Sequence, residues 1–305
     1  MRQIGTPAWS SHQWTAIERQ VDGSCPIMHC HGMDAGDGLG EPAIEPIARD
    51  GAKVHRPLAL LLDLDGTLLD NRGIPGAVSR TCDALAARFG GLDAGQLRRA
   101  NTEVWSDYWP RVETSYWLGQ VDGFAVSREA WRRTLQACGS ANESVVGYAF
   151  AQYRRFSGEA RRLFADAVEL LSYVAKGGFR TALVTNGPAD VQRDHLRALG
   201  LQDCFGAVVI SGELGVAKPD PAPFQVALER LEVDRRAAWH VGDSAATDVQ
   251  GAQAAGVFAV WLNRAGTSPH PGDPHPGLEV ASLSEVAAAL QRPETDRPTD
   301  NPTIV

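Results

Sequence analysis

Five short apolar, β-branched runs, at 58–64, 180–185, 206–211, 238–242 and 257–262, stand out from a chain that is otherwise polar or helically periodic. Each is continuous rather than alternating and ends at a Gly, Asp or Asn-bearing turn, the pattern of a strand buried on both faces. Helical spacing fills the segments around the last four: Asp166 to Lys176 ending at Gly177-Gly178, Pro188 to Leu199 ending at Gly200, Pro221 to Leu231 opening behind Asp220, and Ala245 to Ala255 ending at Gly256. Pro at a helix start and Gly just past its end are the expected punctuation. Strand and helix alternate, so the pattern predicts a parallel sheet covered by helices on both faces.

Residues 75–163 break that alternation: helical stretches near 76–89, 94–108, 127–138 and 142–156 follow one another without a convincing strand. This segment reads as an all-helical insert, with Trp105, Tyr108, Trp109, Tyr116, Trp117 and Trp131 chiefly as its core. Trp109, Arg111, Glu113 and Tyr116 form one polar-aromatic stretch that is also a candidate for contact with a substrate. A last helix near 283–290 is opened by Ser282 with Glu285 three residues on, a capping box. The division expected is therefore a core from 57–74 and 164–290, an insert over 75–163, a largely unstructured N-terminal extension over 1–56 and a disordered tail over 291–305. Met28 and Met33 are alternative starts within the extension.

Composition narrows the function classes. With 305 residues and 44% hydrophobic content the chain can bury a large core, and a net charge of -8 without basic stripes gives no footprint for nucleic acid. No window approaches the roughly 18 apolar residues of a membrane span, and the start lacks the apolar stretch of a secretory signal. The cytoplasm is the compartment expected. Of the 5 cysteines, Cys82, Cys138 and Cys204 lie in helical or apolar surroundings and read as reduced thiols. Cys25, His29, Cys30 and His31 lack the paired spacing of a zinc site. His195 reads as solvent-facing on its helix, and His240 as a satisfied core residue or a supporting neighbour of the site. The sequence leaves the oligomeric state open.

Chemistry concentrates at the strand ends. Asp63-Leu64-Asp65-Gly66-Thr67 closes the first run, Thr185-Asn186-Gly187 the second, Lys218-Pro219 follows the third, and Gly242-Asp243 with Asp248 closes the fourth. In open α/β sheets ligands bind outside the carboxyl ends of the strands, so these groups should converge. Two carboxylates about 4 Å apart repel by roughly 4 kcal/mol at an effective dielectric near 20, and a cluster of Asp63, Asp65, Asp243 and Asp248 therefore calls for a cation. Oxygen donors in an open arrangement suit Mg²⁺. Lys218 adds a second positive charge, Thr185 a hydroxyl, and the Asn186-Gly187 turn backbone N–H groups ahead of a helix. That balance has room for a dianionic phosphate.

These residues, in this order over about 58–290, resemble the haloacid dehalogenase superfamily of phosphohydrolases. The resemblance implies a Rossmann-like, doubly wound α/β core with an inserted helical cap of that family's first type. It further implies that Asp63 is a nucleophile forming an aspartyl phosphate and that Asp65 is the general acid and then the base. Lys218 would steady the nucleophile and the phosphate, with Thr185, Asn186 and Gly187 also on the phosphate. Mg²⁺ would sit on Asp63, the backbone carbonyl of Asp65, and Asp243, with Asp248 acting indirectly.

The expected activity is Mg²⁺-dependent hydrolysis of a small phosphorylated metabolite, a sugar phosphate or a nucleotide monophosphate. A phosphomutase of the same superfamily is the alternative, and a non-catalytic phosphate-binding regulator is a third. The dehalogenase branch lacks the second carboxylate, present here as Asp65. The phosphonatase branch uses a cap lysine, and no lysine occurs between Lys53 and Lys176.

Overall fold

The computed structural model describes residues 56–291. The expectations for the N-terminal extension, including Cys25, His29, Cys30 and His31, and for the C-terminal tail lie outside the described residues, except that Gln291 closes the last helix instead of opening the tail. Six strands form one parallel sheet: β1 (Ala59–Leu62), β4 (Arg180–Thr185), β5 (Ala207–Ile210), β6 (Ala238–Gly242), β7 (Phe258–Leu262) and β8 (Leu278–Val280), in the order β5-β4-β1-β6-β7-β8. The first five correspond to the apolar runs. β8 was not expected.

The continuous hydrophobicity of these runs follows from burial on both faces. Leu60, Leu62, Leu183, Val241 and Val260 belong to one core, against Leu170, Leu171 and Val174 of α5 (Ala165–Lys176) and Val286 and Leu290 of α10 (Leu283–Gln291). Ala59, Leu61, Ala182, Val184 and Ala259 belong to the other, against Phe224, Ala227 and Leu231 of α8 (Ala222–Leu231). Leu60, Leu61 and Leu62 are fully buried, each contributing about 2 kcal/mol of transfer free energy.

A helical insert leaves the core after β2 (Leu69–Asp70) and returns at β3 (Arg162–Leu163), which pair antiparallel with each other. It comprises α1 (Ile74–Arg88), α2 (Ala94–Trp117), α3 (Gly123–Ala137) and α4 (Glu143–Ala160). The side chains of Asp93, Asp122 and Asn142 accept hydrogen bonds from the first turns of α2, α3 and α4, N-caps worth about 1 kcal/mol apiece. Its interior is built from Cys82, Leu85, Leu97, Trp131, Leu135 and Val146.

α2 runs on past 108 to Trp117, carrying Pro110 inside the helix, where the sequence pattern suggested a stop. Tyr108 and Trp131 are buried, whereas Trp105, Trp109, Tyr116 and Trp117 are half-buried. Cys82, Cys138 and Cys204 are free thiols.

Candidate active site

Register alone brings most of the site together. Leu62 pairs with Leu183 on one side and Val241 on the other, so the residues that follow leave three central strands side by side. Asp63 still holds the ladder through its N–H to the Val241 carbonyl at 3.0 Å. Two glycines then make room for carboxylates. A Cβ at Gly66, whose φ is +81°, would stand 2.2 Å from Asp243 Oδ2, and one at Gly242 would stand 2.1 Å from Asp248 Cγ. Asp248 lies on a π-helical turn, Ala245–Val249, that precedes the short helix α9 (Gln250–Ala254) where a single helix was expected.

Lys218 ties the cluster. Its ammonium donates to Asp63 Oδ1 at 2.7 Å, to Asp248 Oδ1 at 2.6 Å and to the Val184 carbonyl at 2.8 Å, using all three protons. The loop carrying it is clamped by Asn186, whose Nδ2 donates to the Lys218 carbonyl and whose Oδ1 accepts the Lys218 N–H, both at 2.9 Å. Burial opposes the charge on Lys218, but Asp248 and Asp63 outweigh it and hold its pKa above the ordinary value.

Burial would likewise raise Asp248. The charge of Lys218 and the hydrogen bond from His240 Nε2 at 2.9 Å overcome that and hold it below the carboxylate range. Asp63 moves the other way, because burial and the neighbouring Asp248 and Asp243 exceed the help from Lys218. Asp243 is pushed up to about 6 by burial and by the charge of Asp248.

Oxygens of Asp63, Asp243 and Asp248 lie within 4.8 Å of one another. This all-oxygen donor set, with the Asp63 and Asp243 carboxylates raised in pKa by burial and by neighbouring carboxylates, fits a hard divalent cation. Trp261 fixes the Asp243 backbone by donating Nε1–H to its carbonyl at 2.9 Å.

Asp65 takes no part in that trio. Its carboxylate accepts from Gln192 Nε2 at 2.8 Å and from Asn71 Nδ2 at 3.0 Å, and His195 Nδ1 stands 3.9 Å away. Gln192, on α6 (Ala189–Ala198), also donates to Thr185 Oγ1 at 3.2 Å and the Asn186 carbonyl at 2.8 Å, and its Oε1 meets His195 Nδ1 at 3.1 Å. Neither Gln192 nor Asn71 was singled out from the sequence. His195 is not solvent-facing as expected: burial lowers its pKa, with Asp65 opposing. Gly187 N–H donates to Ser211 Oγ at 2.9 Å, so that donor is engaged within the protein.

Beyond Asp65 lies a cavity of about 350 Å³ between insert and core. Asn71, Val191 and His195 line it from the core side, and Tyr116, Phe124, Tyr153, Arg154 and Arg161 from the insert. Of the polar-aromatic stretch 109–116 only Tyr116 lines the cavity. Arg111 is exposed and pairs with Asp107.

A doubly wound parallel sheet that gathers a lysine-bridged acidic cluster at its carboxyl edge, with a helical insert over it, defines a hydrolase of the haloacid dehalogenase type. The family of haloacid dehalogenase-like hydrolases matches residues 58–256, and the chain belongs to it. Among its relatives, the phosphoserine phosphatase of Thermus thermophilus is 34% identical over 253 residues, covering 75% of this chain and 98% of that protein. The N-acylneuraminate-9-phosphatase of Homo sapiens is 29% identical over 256 residues, covering 78% and 95%. A solved structure, the magnesium-bound putative HAD-hydrolase YfnB of Bacillus subtilis, superposes with a TM-score of 0.58 at 25% identity, covering 78% of this chain and all of the other.

Proposed function

We propose that the protein is a Mg²⁺-dependent phosphatase that hydrolyses a small phosphate monoester through a phosphorylated Asp63, with the helical insert as its cap. The observation that carries this reading is the Lys218 ammonium held between Asp63 and Asp248 beside a cation-fitting carboxylate trio. The relatives named above are phosphatases, and the likeness to a magnesium-bound structure supports the metal. Asp63 and Asp243 would hold Mg²⁺ together with the backbone carbonyl of Asp65, Asp248 serving chiefly through Lys218. Bound there, the ion neutralises charge on the phosphoryl oxygens and lowers the Asp63 pKa.

The chain's own residues do the rest. An Asp63 carboxylate oxygen bonds to phosphorus as the ester P–O bond breaks, and Asp65 gives its proton to the leaving alkoxide. Water then attacks phosphorus, yields a proton to Asp65 and releases Asp63 and inorganic phosphate. Lys218 offsets negative charge throughout, and Gln192 with Asn71 fixes the direction of the Asp65 carboxylate. Thr185 presents its hydroxyl beside them.

The test is phosphate release from a panel of phosphate monoesters with and without Mg²⁺. Metal-dependent release that disappears in Asp63→Asn is the expected result. Substantial turnover by a folded Asp63→Asn protein, or transfer of the phosphoryl group to a second hydroxyl in place of release, contradicts the reading.

A further inference from the structure

One wall of the cavity, lined by Arg154 and Arg161, carries more positive charge than its fold requires. Three guanidinium groups converge on the single carboxylate of Asp194: Arg161 at 3.3 Å, Arg154 at 3.5 Å and Arg197 at 3.6 Å. Arg197 is largely in water, with 63% of its side chain exposed, and is screened there. Arg161 is only 13% exposed, and it lines the cavity together with Arg154. These two cations share the one carboxylate of Asp194. The other acids lining the cavity are Asp70, already paired with Arg72 and Arg162, and Asp65, which the proposed reaction uses in its protonated form, so one positive charge is left at a part-buried wall.

The bonds they make are also poor. Charge-assisted N–H···O⁻ bonds run near 2.8 Å, whereas these span 3.3–3.5 Å. Most of the five N–H groups on each guanidinium have no bond to another protein group among the described residues. Arg154 is further fixed flat on Phe124, with its guanidinium carbon 3.6 Å from the ring centroid, and Phe124 lines the same cavity. That stacking occupies a face of the guanidinium and leaves its edge for an in-plane acceptor.

The corner is close to the chemistry. His195 stands 3.9 Å from Asp65 and also feels the charges of Arg161, Asp194 and Arg154. Asp65, His195, Arg154 and Arg161 line one cavity, so an anion at the arginine corner shares that cavity with the proton donor. Given the phosphatase reading, on which this step rests, the leaving alcohol occupies this cavity, and its far end meets Arg154 and Arg161.

We infer that the leaving group carries a carboxylate, and that Arg154 and Arg161 select phosphate esters of small hydroxy acids by binding it. A monoanion matches the single unbalanced charge, and a planar carboxylate matches the guanidinium fork. A second phosphate shares the anionic chemistry but brings more charge than the corner can balance. A nucleoside or a neutral polyol brings none.

The decisive comparison is kcat/KM of the full-length enzyme with Mg²⁺ on four matched esters: phosphoglycerate, glycerol phosphate, glycerol bisphosphate and uridine monophosphate. Phosphoglycerate is expected to exceed glycerol phosphate by roughly ten- to a hundredfold, mostly through KM, with the bisphosphate between them. In Arg161→Gln and, separately, Arg154→Gln, that ratio should fall toward unity as KM for phosphoglycerate rises, and Arg154→Lys should restore part of it. Should Arg161→Gln fail to fold, Arg154→Gln and the wild-type series carry the test. Preference for glycerol phosphate, the bisphosphate or uridine monophosphate, or a ratio unmoved by both variants, overturns the inference while leaving the phosphatase reading intact. Absence of phosphate release from all four and from p-nitrophenyl phosphate overturns the phosphatase reading itself.

Discussion

Gly66 is the position where one added carbon would act most directly on the chemistry. Its φ of +81° already disfavours any side chain, and a Cβ there would press within 2.2 Å of Asp243 Oδ2. Gly66→Ala should therefore displace Asp243 from the trio and raise the Mg²⁺ concentration for half-maximal activity by about tenfold or more. A metal titration that superposes on the wild type contradicts this.

Asp243 itself supplies a pH prediction. Its pKa of about 6 in the folded chain exceeds the ordinary 3.8, so between those values the metal-free folded protein holds a proton that the unfolded chain releases. The stability of the metal-free protein then falls as pH rises across that window. If Asp243 is a ligand as proposed, Mg²⁺ displaces the same proton, and the gain in melting temperature on adding Mg²⁺ should be larger at pH 7 than at pH 5. An equal gain at both contradicts the ligand role.

Gln192 completes the residue scale. Because its amide bonds Asp65, Thr185 and Asn186 at once, Gln192→Leu should lower kcat by about tenfold while changing KM little. Asp63, Lys218 and Asp243 were legible in the sequence because each abuts a buried strand or an unmistakable Gly or Pro turn. Gln192 and His195 carry only an i, i+3 polar spacing on a helix, and that spacing ordinarily marks a solvated face. Gln192 is buried by the turn after β4 and by Asp65, and His195 faces the cavity that the insert covers, tertiary placements that no local pattern encodes.

Among the elements, the strands that escaped sequence reading are the short ones. β8 has three residues at the sheet edge behind a Pro and Gly-rich loop, and β2 and β3 have two each, too few to show any period. Yet β2 and β3 are the paired linkers of the insert, and their junction is held by a buried acid. Asp70 accepts from Arg72 Nε at 2.8 Å and from Arg162 Nε at 3.1 Å, and it caps the turn after β2 through the Arg72 N–H at 3.0 Å.

The hydrogen bond from Arg72 holds the Asp70 pKa below the carboxylate range against a smaller opposing effect of burial. A depressed carboxylate stabilises the fold above its unfolded pKa, and that contribution fades as pH drops below it. Both arginines stand largely in water, so their pairing contributes little beyond the cap. Asp70→Asn keeps an acceptor for the cap and loses only the charge, so it should cost up to about 1 kcal/mol at neutral pH. The gap between mutant and wild-type melting curves should close as pH falls below about 4. A gap that persists in acid would mean that Asp70 acts through packing, not charge.

For the molecule as a whole, the proposed reaction needs the cavity between insert and core to admit an ester and discharge an alcohol. Several of the contacts between insert and core are polar, as in many interfaces between domains. Asp190, in the first turn of α6, accepts from the N–H groups of Gly123 and Phe124 at 3.3 and 3.1 Å, where α3 begins. Gly119 lies against the Gly212 backbone with no room for a Cβ, and Ser211 Oγ donates to the Trp117 carbonyl beside the same turn. Asp190 thus holds the start of α3 by the attraction of a carboxylate for unsatisfied helix donors.

Asp190→Ala removes the acceptor without touching any group that meets the phosphate. Its expected effects are faster amide exchange over 117–125, unchanged exchange in the central strands β1, β4 and β6, and a fall in kcat/KM of about tenfold, the equivalent of one charge-assisted hydrogen bond. If exchange over 117–125 matches the wild type, the contact does not govern closure. The loop of Trp117 and Gly119 against Ser211 and Gly212 then becomes the part of the interface that does.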